Sequence, residues 1–124
     1  MLGSQKLMAF VATRDAARAK AFYGETLGLA LLSETQFAVT FDANGTMLRV
    51  QIVKEIVPAQ YTSLGWEVAD IAAAIDELAA RGVKFEIFPG MGQDARGIWT
   101  APGGALVAWF KDPEGLILSL TQMP

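Results

Sequence analysis

The chain has 124 residues, of which 52% are hydrophobic and 19% are charged, and its formal net charge is −3. This length fits one domain, the composition is that of a globular protein, the negative charge argues against a nucleic-acid partner, and no apolar run is long enough to cross a membrane. The absence of cysteine and histidine excludes disulfides, thiolate nucleophiles, Cys-ligated zinc and Ser-His-Asp chemistry.

The first half of the chain reads as a strand followed by a helix and three further strands. Asp15 follows the first strand and predicts a helix N-cap, since its carboxylate can accept from free N–H groups of the first turn. The alanine-rich run after it predicts a helix that ends at Gly28, where a positive φ is tolerated. The predicted buried stripe of this helix is Ala19, Phe22, Tyr23 and Thr26. Strands are predicted over 29–32, 36–42 and 46–53, with 43–45 as a hairpin turn.

The second half repeats this order of signals. A strand leads to Asp70 as N-cap, to a helix with Ile71, Ile75 and Leu78 on one face and Ala79 beside them, and to a stop at Gly82. Strands are predicted over 84–88, 97–100, 106–111 and 116–122. The Gly-rich segment 89–97 lacks phosphate-loop spacing and is either a plain surface loop or a lid.

The repeat predicts an α+β fold of two βαβββ modules, about 6–53 and about 62–122, within a single domain, 1–124. The segment 54–60, which contains Pro58, is the predicted linker. A helix covers only one face of each module, so we expect a curved, barrel-like mixed sheet with helices outside and a concave inner face that can bind a small molecule.

This pattern resembles the vicinal oxygen chelate superfamily, which includes glyoxalase I, bleomycin-resistance proteins, fosfomycin-resistance enzymes and extradiol dioxygenases. The matching motifs are Val-Ala-Thr-Arg-Asp at 11–15, Ala-Phe-Tyr at 21–23, Leu-Gly-Leu at 27–29, Trp-Glu-Val-Ala-Asp at 66–70, Arg-Gly-Val at 81–83 and Phe-Lys-Asp-Pro-Glu-Gly at 110–115. Each motif is weak alone, but the ordered set covers nearly the whole chain and is specific for the fold. It is not specific for function.

The resemblance also implies where relatives hold a metal ion. The corresponding positions are Met8, Ser63, Ser119 and either Arg49 or Gln51. At the three positions that can be placed, a thioether and two neutral hydroxyls are poor ligands for a hard divalent ion or for zinc, so the resemblance favours the metal-free branch of the family. We therefore expect neither a metal nor another cofactor.

Strand alternation predicts which side chains face the cleft. The apolar members are Met8 and Phe10, and the polar members are Arg49, Gln51, Ser63, Glu67 and Ser119. Trp99 and Trp109 are expected beside them because they lie on neighbouring strands of a predicted hairpin near the cleft. Four of these residues have an alternative interpretation. Arg49 is either a carboxylate or phosphate anchor or a rim ion pair with Glu67 or Glu34, and Glu67 is either a base or a solvated residue. The two tryptophans are either cleft walls or core or dimer contacts.

The predicted function is a metal-independent small-molecule binding protein for an apolar or aromatic ligand. One alternative is a metal-free isomerase or lyase with Glu67 as general base. Others are a metal-dependent glyoxalase- or dioxygenase-like enzyme with unusual ligands, and a structural or regulatory dimer with a vestigial cleft. A homodimer is expected because sheet edges tend to be covered, and a cytoplasmic location is expected because no secretory segment is seen.

Overall fold

The computed structural model describes every residue, 1–124, and the chain divides into two compact units, Met1–Val57 and Pro58–Pro124. The boundary between them falls inside the predicted linker, 54–60. Each unit contains one four-stranded sheet and one principal helix.

The first unit has the strand–helix–three-strand order that the sequence predicts. After a 3₁₀ turn at Leu2–Ser4, its elements are β1 (Met8–Thr13), α1 (Ala16–Ala19) with a π-helical continuation (Lys20–Thr26), β2 (Ala30–Glu34), β3 (Ala38–Ala43) and β4 (Thr46–Ile52). The strand order is β1-β4-β3-β2, in which β1 and β4 are parallel and the other pairs are antiparallel.

The first helix begins and ends at the predicted residues but changes its winding on the way. The Asp15 carboxylate accepts from the Arg18 N–H at 3.1 Å, and Gly28 has φ of 80°. Between them the backbone becomes π-helical, as in the 2.9 Å bond from Leu27 N–H to the Phe22 carbonyl. Tyr23 is fully buried and its ring lies 6.1 Å from that of Phe41, so the helix packs on the middle of the sheet.

The core of the first unit lies on the helix side of its sheet. Alternate residues of the strands are buried there: Val11, Val39, Phe41, Leu48 and Val50. The predicted hairpin turn is present, because Asn44 and Gly45 both have positive φ, 51° and 95°, and the Asp42 carboxylate accepts from the Gly45 N–H at 2.9 Å. The register of β3 and β4 is thereby fixed, and with it the side chains on each face.

The second unit repeats the topology of the first. Its elements are β5 (Thr62–Glu67), α2 (Ile71–Ala80), β6 (Trp99–Thr100), β7 (Leu106–Lys111) and β8 (Ile117–Gln122), with strand order β5-β8-β7-β6. The Asp70 cap accepts from the Ala73 N–H at 3.1 Å, and Gly82 has φ of 92°. Ile71 and Ile75 are buried, Leu78 is half-buried, and Ala79, which the sequence placed beside them, is exposed.

The α+β class and the two-module repeat are therefore confirmed, with one correction to the sheet. The strands form two separate four-stranded mixed sheets, one in each unit, and there is no closed barrel. Helix α2 packs on β7 and β8, as its buried residues require. Neither principal helix is long and apolar enough to span a membrane.

The strand predicted over 84–88 is the other correction. Only Phe85 forms a bridge, with Phe110, and the Glu86 N–H donates to the Trp109 carbonyl at 2.8 Å. The neighbouring backbone groups are used by the side chain of Gln93, which accepts from the Phe88 N–H at 2.7 Å and donates to the Glu86 carbonyl at 3.0 Å. Because these groups bond to a side chain, they do not extend a ladder along β7.

Candidate functional site

Each sheet has a face turned away from its own helix, here called its far face. In the first unit the register places Phe10, Arg49 and Thr40 side by side across β1, β4 and β3. The next row on the side of the β3–β4 turn contains Met8, Met47 and Asp42. The next row on the opposite side contains Ala12, Gln51 and Ala38. The predicted site residues of this unit, Met8, Phe10, Arg49 and Gln51, therefore share one surface.

The far face of the first sheet exposes large apolar side chains. Met8, Phe10 and Met47 keep 45%, 52% and 38% of their surface exposed, whereas Leu48 and Val50 on the opposite face are buried. The sequence did not identify Met47 as part of the site, although it alternates with Leu48 in the same way as Arg49. Exposed apolar side chains clustered on one face are typical of a binding surface.

Arg49 is the cation of this face, and it has no protein counter-ion. Its side chain is partly buried between Phe10 and Thr40, and no carboxylate or hydrogen-bond acceptor of the protein contacts its guanidinium. Glu34, one of the two partners considered for it, instead pairs with Lys20 at 2.8 Å, and Glu67 has no ion pair. The Thr40 hydroxyl is also engaged, 2.6 Å from that of Ser33. The guanidinium is therefore available to an anion.

A hollow of about 650 Å³ opens at one end of this surface. Met8 and Met47, the paired methionines, form part of its wall. Its remaining lining residues are Ser4, Gln5, Lys6, Leu7, Leu32, Asp42 and Gly45. The volume lies within the range of small-molecule pockets.

In the second unit the far face carries an aromatic cluster. The rings of Trp99 and Trp109 lie 6.0 Å apart at 37°, and the Phe88 ring meets Trp109 edge-on at 5.8 Å. The Trp109 indole N–H donates to the Thr62 hydroxyl at 3.2 Å. The sequence singled out the two tryptophans but missed Phe88 and Thr62, which hold Trp109 in place.

Thr62 reaches this face because β5 is irregular at its start. The ladder with β8 shifts between Thr62 and Leu64, which pair with Ile117 and Leu118, so that Ser63 is an extra residue without a partner in β8. Strict alternation placed Ser63 beside Gly65 and Glu67. Gly65 and Glu67 do share the far face, through their partners Ser119 and Thr121, but at the shift it is the hydroxyl of Thr62 that contacts Trp109.

Ser119 lies at the centre of the far face of the second sheet. It is paired with Gly65 on one side and with Trp109 on the other, and only 7% of its surface is exposed. Its neighbours along β8, Leu118 and Leu120, are buried on the helix side, as alternation predicts. The hydroxyl has no hydrogen-bond partner in the protein.

Glu67 lies at the end of β5, in the same row as Thr121, Val107 and Trp99. Its side chain is exposed and makes neither an ion pair nor a hydrogen bond. The apolar enclosure expected around a catalytic carboxylate is therefore not found at this position. The environment of Glu67 is that of a solvated strand residue.

The residues present do not fit the divalent metal that the fold family implies. No three Asp or Glu side chains are close enough together to share an ion, and the chain has no His or Cys. Met8, Ser63 and Ser119 offer a thioether and two neutral hydroxyls, and the guanidinium of Arg49 would repel a cation.

The segment 89–97, for which a lid was one interpretation, is tied to its surroundings at several points. Arg96 forms a fork with Asp76 of α2, with two N–H···O contacts of 3.1 Å. The Asp94 carboxylate accepts from the N–H groups of Arg96 and Ile98, both at 2.9 Å. The hydrogen bond from Arg96 holds the pKa of the Asp76 carboxyl below its ordinary value. These bonds are typical of an ordered surface loop.

Comparison with known proteins agrees with this fold. The family model described as Glyoxalase/Bleomycin resistance protein/Dioxygenase superfamily matches residues 7–120. A search of curated proteins returned no match.

Three solved structures illustrate the range of similar proteins. A member of the same superfamily from Sphaerobacter thermophilus is 24% identical with a TM-score of 0.77, and the match covers 99% of this chain and 100% of that one. TnmS3, an antibiotic binding protein from a Streptomyces species, is 24% identical with a TM-score of 0.75 over 100% and 99% of the two chains. Lactoylglutathione lyase from Agrobacterium tumefaciens is 18% identical with a TM-score of 0.70 over 96% and 93%.

At these identities the structural likeness establishes the fold, and the family model covers most of the chain. The matched range includes both modules and both Asp-capped helices. The chain therefore belongs to the glyoxalase/bleomycin resistance protein/dioxygenase superfamily.

Proposed function

We propose that this protein binds a small apolar or aromatic molecule without a metal ion. The observation that carries the proposal is the far face of the first sheet, where Met8, Phe10 and Met47 are exposed around the unpaired Arg49. Apolar surface on a sheet face gains free energy when a ligand removes it from water, at about 25 cal/mol per Å². The fold then serves to present this surface.

The chemistry of the site residues supports binding without metal. The positions at which the family resemblance implies metal ligands carry a thioether at Met8 and hydroxyls at Ser63 and Ser119. Thioethers and aromatic rings instead suit contact with apolar and flat molecules. TnmS3, a protein of the same fold at 24% identity, is described as an antibiotic binding protein, which supports a binding role for this chain.

Arg49 defines the polar part of the proposed ligand. A guanidinium that lies among apolar side chains and has no protein counter-ion favours a carboxylate, sulfonate or phosphate on the ligand. We therefore propose an amphipathic ligand with an apolar body over Phe10 and Met8 and an anionic group at Arg49. Gln51, in the next row on the same strand, is an additional hydrogen-bonding group.

The proposal is tested with 8-anilinonaphthalene-1-sulfonate, an anionic aromatic probe whose fluorescence rises on binding. The wild-type chain is expected to bind it equally well in EDTA and in added Zn²⁺ or Mn²⁺. Phe10→Ala is expected to weaken binding about 10-fold, because the loss of a phenyl contact costs about 1.5 kcal/mol. Phe37→Ala is the matched control, since Phe37 is 65% exposed in the connection between β2 and β3.

Two results would contradict the proposal. One is probe binding that depends on added metal. The other is equal loss of binding in Phe10→Ala and Phe37→Ala, which would mean that the probe senses general apolar exposure rather than the far face of the first sheet.

We further propose that the protein is a homodimer formed along β2. Every residue of this edge strand is exposed, and Leu31 and Leu32 each keep 53% of their surface in solvent. An exposed apolar edge strand favours pairing with another chain, and closed two-fold pairing is the commonest arrangement.

A further inference from the structure

We infer that the far face of the second sheet contains a subsite for a neutral hydrogen-bonding group on the rim of a planar aromatic ligand, contacted by Ser119 in a gap kept open by Gly65. This inference rests on the proposed small-molecule function and names a ligand class for the second unit. It concerns a phenol-type hydroxyl or a carbonyl attached to a flat ring system. The residues that carry it all belong to the second unit.

The first observation is the unsatisfied hydroxyl of Ser119. The residue is 7% exposed, and its Oγ makes no hydrogen bond to a protein group. The oxygen still reaches the surface, because no buried side-chain oxygen or nitrogen of the protein lacks a partner. A nearly buried polar group that lacks a protein partner and remains accessible from one side is suited to contact a ligand.

The second observation is the space beside it. A Cβ atom at position 65 would lie 2.7 Å from the Ser119 Oγ, closer than real Cβ contacts allow. Gly65 does not have a positive φ, so its backbone does not require glycine. A side chain at position 65 would require the Ser119 hydroxyl to rotate away, and because Gly65 is exposed, the space above it opens to the surface.

The third observation is the wall on the other side of Ser119. Trp109 is fixed by Phe88, by Trp99 and by the hydrogen bond from its own indole N–H to Thr62. Since β8 lies between β7 and β5, the indole must reach across β8 to meet Thr62. The Trp109 indole N–H is therefore already hydrogen-bonded within the protein, and Ser119 is the residue that would make the polar contact to a ligand.

These three features select the ligand class. A rigid aromatic wall accepts the face of a planar ring by stacking or edge contact. A serine hydroxyl both donates and accepts, so it can serve a phenol or a carbonyl without a counter-charge. The subsite is thus complementary to a neutral polar group on an aromatic rim.

The test compares two probes that differ by a single hydroxyl, 2-naphthol and naphthalene, in equilibrium dialysis with the full chain. Ser119→Ala is expected to weaken 2-naphthol binding about 5- to 10-fold, the value of one hydrogen bond, and to change naphthalene binding less than 2-fold. Ser119→Thr, which keeps the hydroxyl, is the conservative variant and is expected to retain most of the preference for 2-naphthol. Trp109→Leu is expected to weaken both probes.

A second variant separates binding from folding. Gly65→Ala is expected to lower the melting temperature and to weaken 2-naphthol binding, because the new methyl group displaces the hydroxyl. In the Ser119→Ala background the same change is expected to cost less stability, since the clashing oxygen is gone, while 2-naphthol binding stays weak.

The outcomes distinguish the subsite from the proposed function. Equal weakening of both probes by Ser119→Ala, with wild-type binding intact, would overturn the subsite and leave small-molecule binding in place. Equal costs of Gly65→Ala in the two backgrounds would also overturn the subsite. Failure of the wild-type chain to bind either neutral probe would overturn the subsite, whereas the proposed function is judged separately by binding of 8-anilinonaphthalene-1-sulfonate.

Discussion

Gln93 makes three hydrogen bonds to the backbone with a single side-chain amide. Its oxygen accepts from the Phe88 N–H, and its nitrogen donates to the carbonyls of Glu86 and Gly97 at 3.0 and 2.8 Å. These bonds close the segment that precedes β6 and therefore position Phe88 against Trp109. No local pattern in the sequence marks Gln93, because all three partners depend on how the segment folds back on itself.

Loss of the Gln93 amide is expected to destabilise the protein. Gln93→Leu should lower the free energy of unfolding by about 2 to 3 kcal/mol, since it removes three bonds and leaves part-buried backbone groups unpaired. Urea denaturation measures the change. Gln36→Leu, at an exposed position, is the matched control with an expected effect within about 0.5 kcal/mol. A cost in Gln93→Leu as small as in the control would contradict this role.

The proposed contact between Arg49 and an anionic group can be tested by comparing a charged probe with a neutral one. Arg49→Gln is expected to weaken 8-anilinonaphthalene-1-sulfonate about 10-fold, because a charge-assisted contact is lost, and to leave its neutral analogue N-phenyl-1-naphthylamine nearly unchanged. Fluorescence titration gives both constants. Lys54→Gln removes the same charge from an exposed residue without a partner and is the control. Parallel losses for the two probes would show that Arg49 does not contact the anionic group.

At the scale of elements, the ends of the helices could be predicted and their winding could not. Asp15, Asp70, Gly28 and Gly82 act through neighbours in the chain, so local rules identify them. The π-helical turns after Ala19 insert an extra residue into each hydrogen-bonded loop. They leave Phe22 and Thr26, two members of the predicted stripe, only half-buried. That shift reflects how the helix packs against its sheet, which composition does not encode.

Asp76 and Arg96 connect helix α2 to the loop before β6, and their pairing predicts a pH dependence. The pKa of Asp76 is lowered in the folded chain from the ordinary 3.8, chiefly by the hydrogen bond from Arg96. The pairing therefore stabilises the protein above pH 3.8, and the contribution is lost as the pH falls through the lowered pKa. Both side chains are exposed, so the effect on stability is small.

A carboxyl-carbon NMR titration measures this directly. Arg96→Gln is expected to raise the pKa of Asp76 toward 3.8. The control is Arg81→Gln, which removes the partner of Glu77 on the same helix and should leave Asp76 unchanged. An Asp76 pKa that does not respond to loss of Arg96 would show that the fork is not maintained in solution.

At the scale of the whole molecule, the repeat was the most predictable feature. Each half carries its own cap, helix stop and strand signals, and both units have the same strand order, with the first and last strands of the unit parallel. The sequence did not predict the division into two sheets or the single bridge at Phe85. Both depend on which backbone N–H and C=O groups of the strand edges remain unpaired after folding. Orientation of site residues followed from alternation wherever the strands are regular.

The proposed dimer predicts a mass in solution. Light scattering of the wild-type chain is expected to give about twice the chain mass of 13.3 kDa. The double variant Leu31→Lys and Leu32→Lys should shift the protein toward monomer, since charges on an edge strand oppose pairing. Val57→Lys, at a position that is 95% exposed, is the control. A wild-type mass near that of one chain would reject the dimer.

The shifted ladder between Thr62 and Leu64 affects how this chain is aligned with its relatives. Counting residues back from Asp70 leads to Ser63, whereas the side chain that meets Trp109 belongs to Thr62. Homologues with a regular strand at this point would carry the equivalent group one place away in number. Transfer of site residues between such sequences is therefore safer from superposed backbones than from gap-free counting, and deletion of one residue here would exchange the two faces at the start of β5.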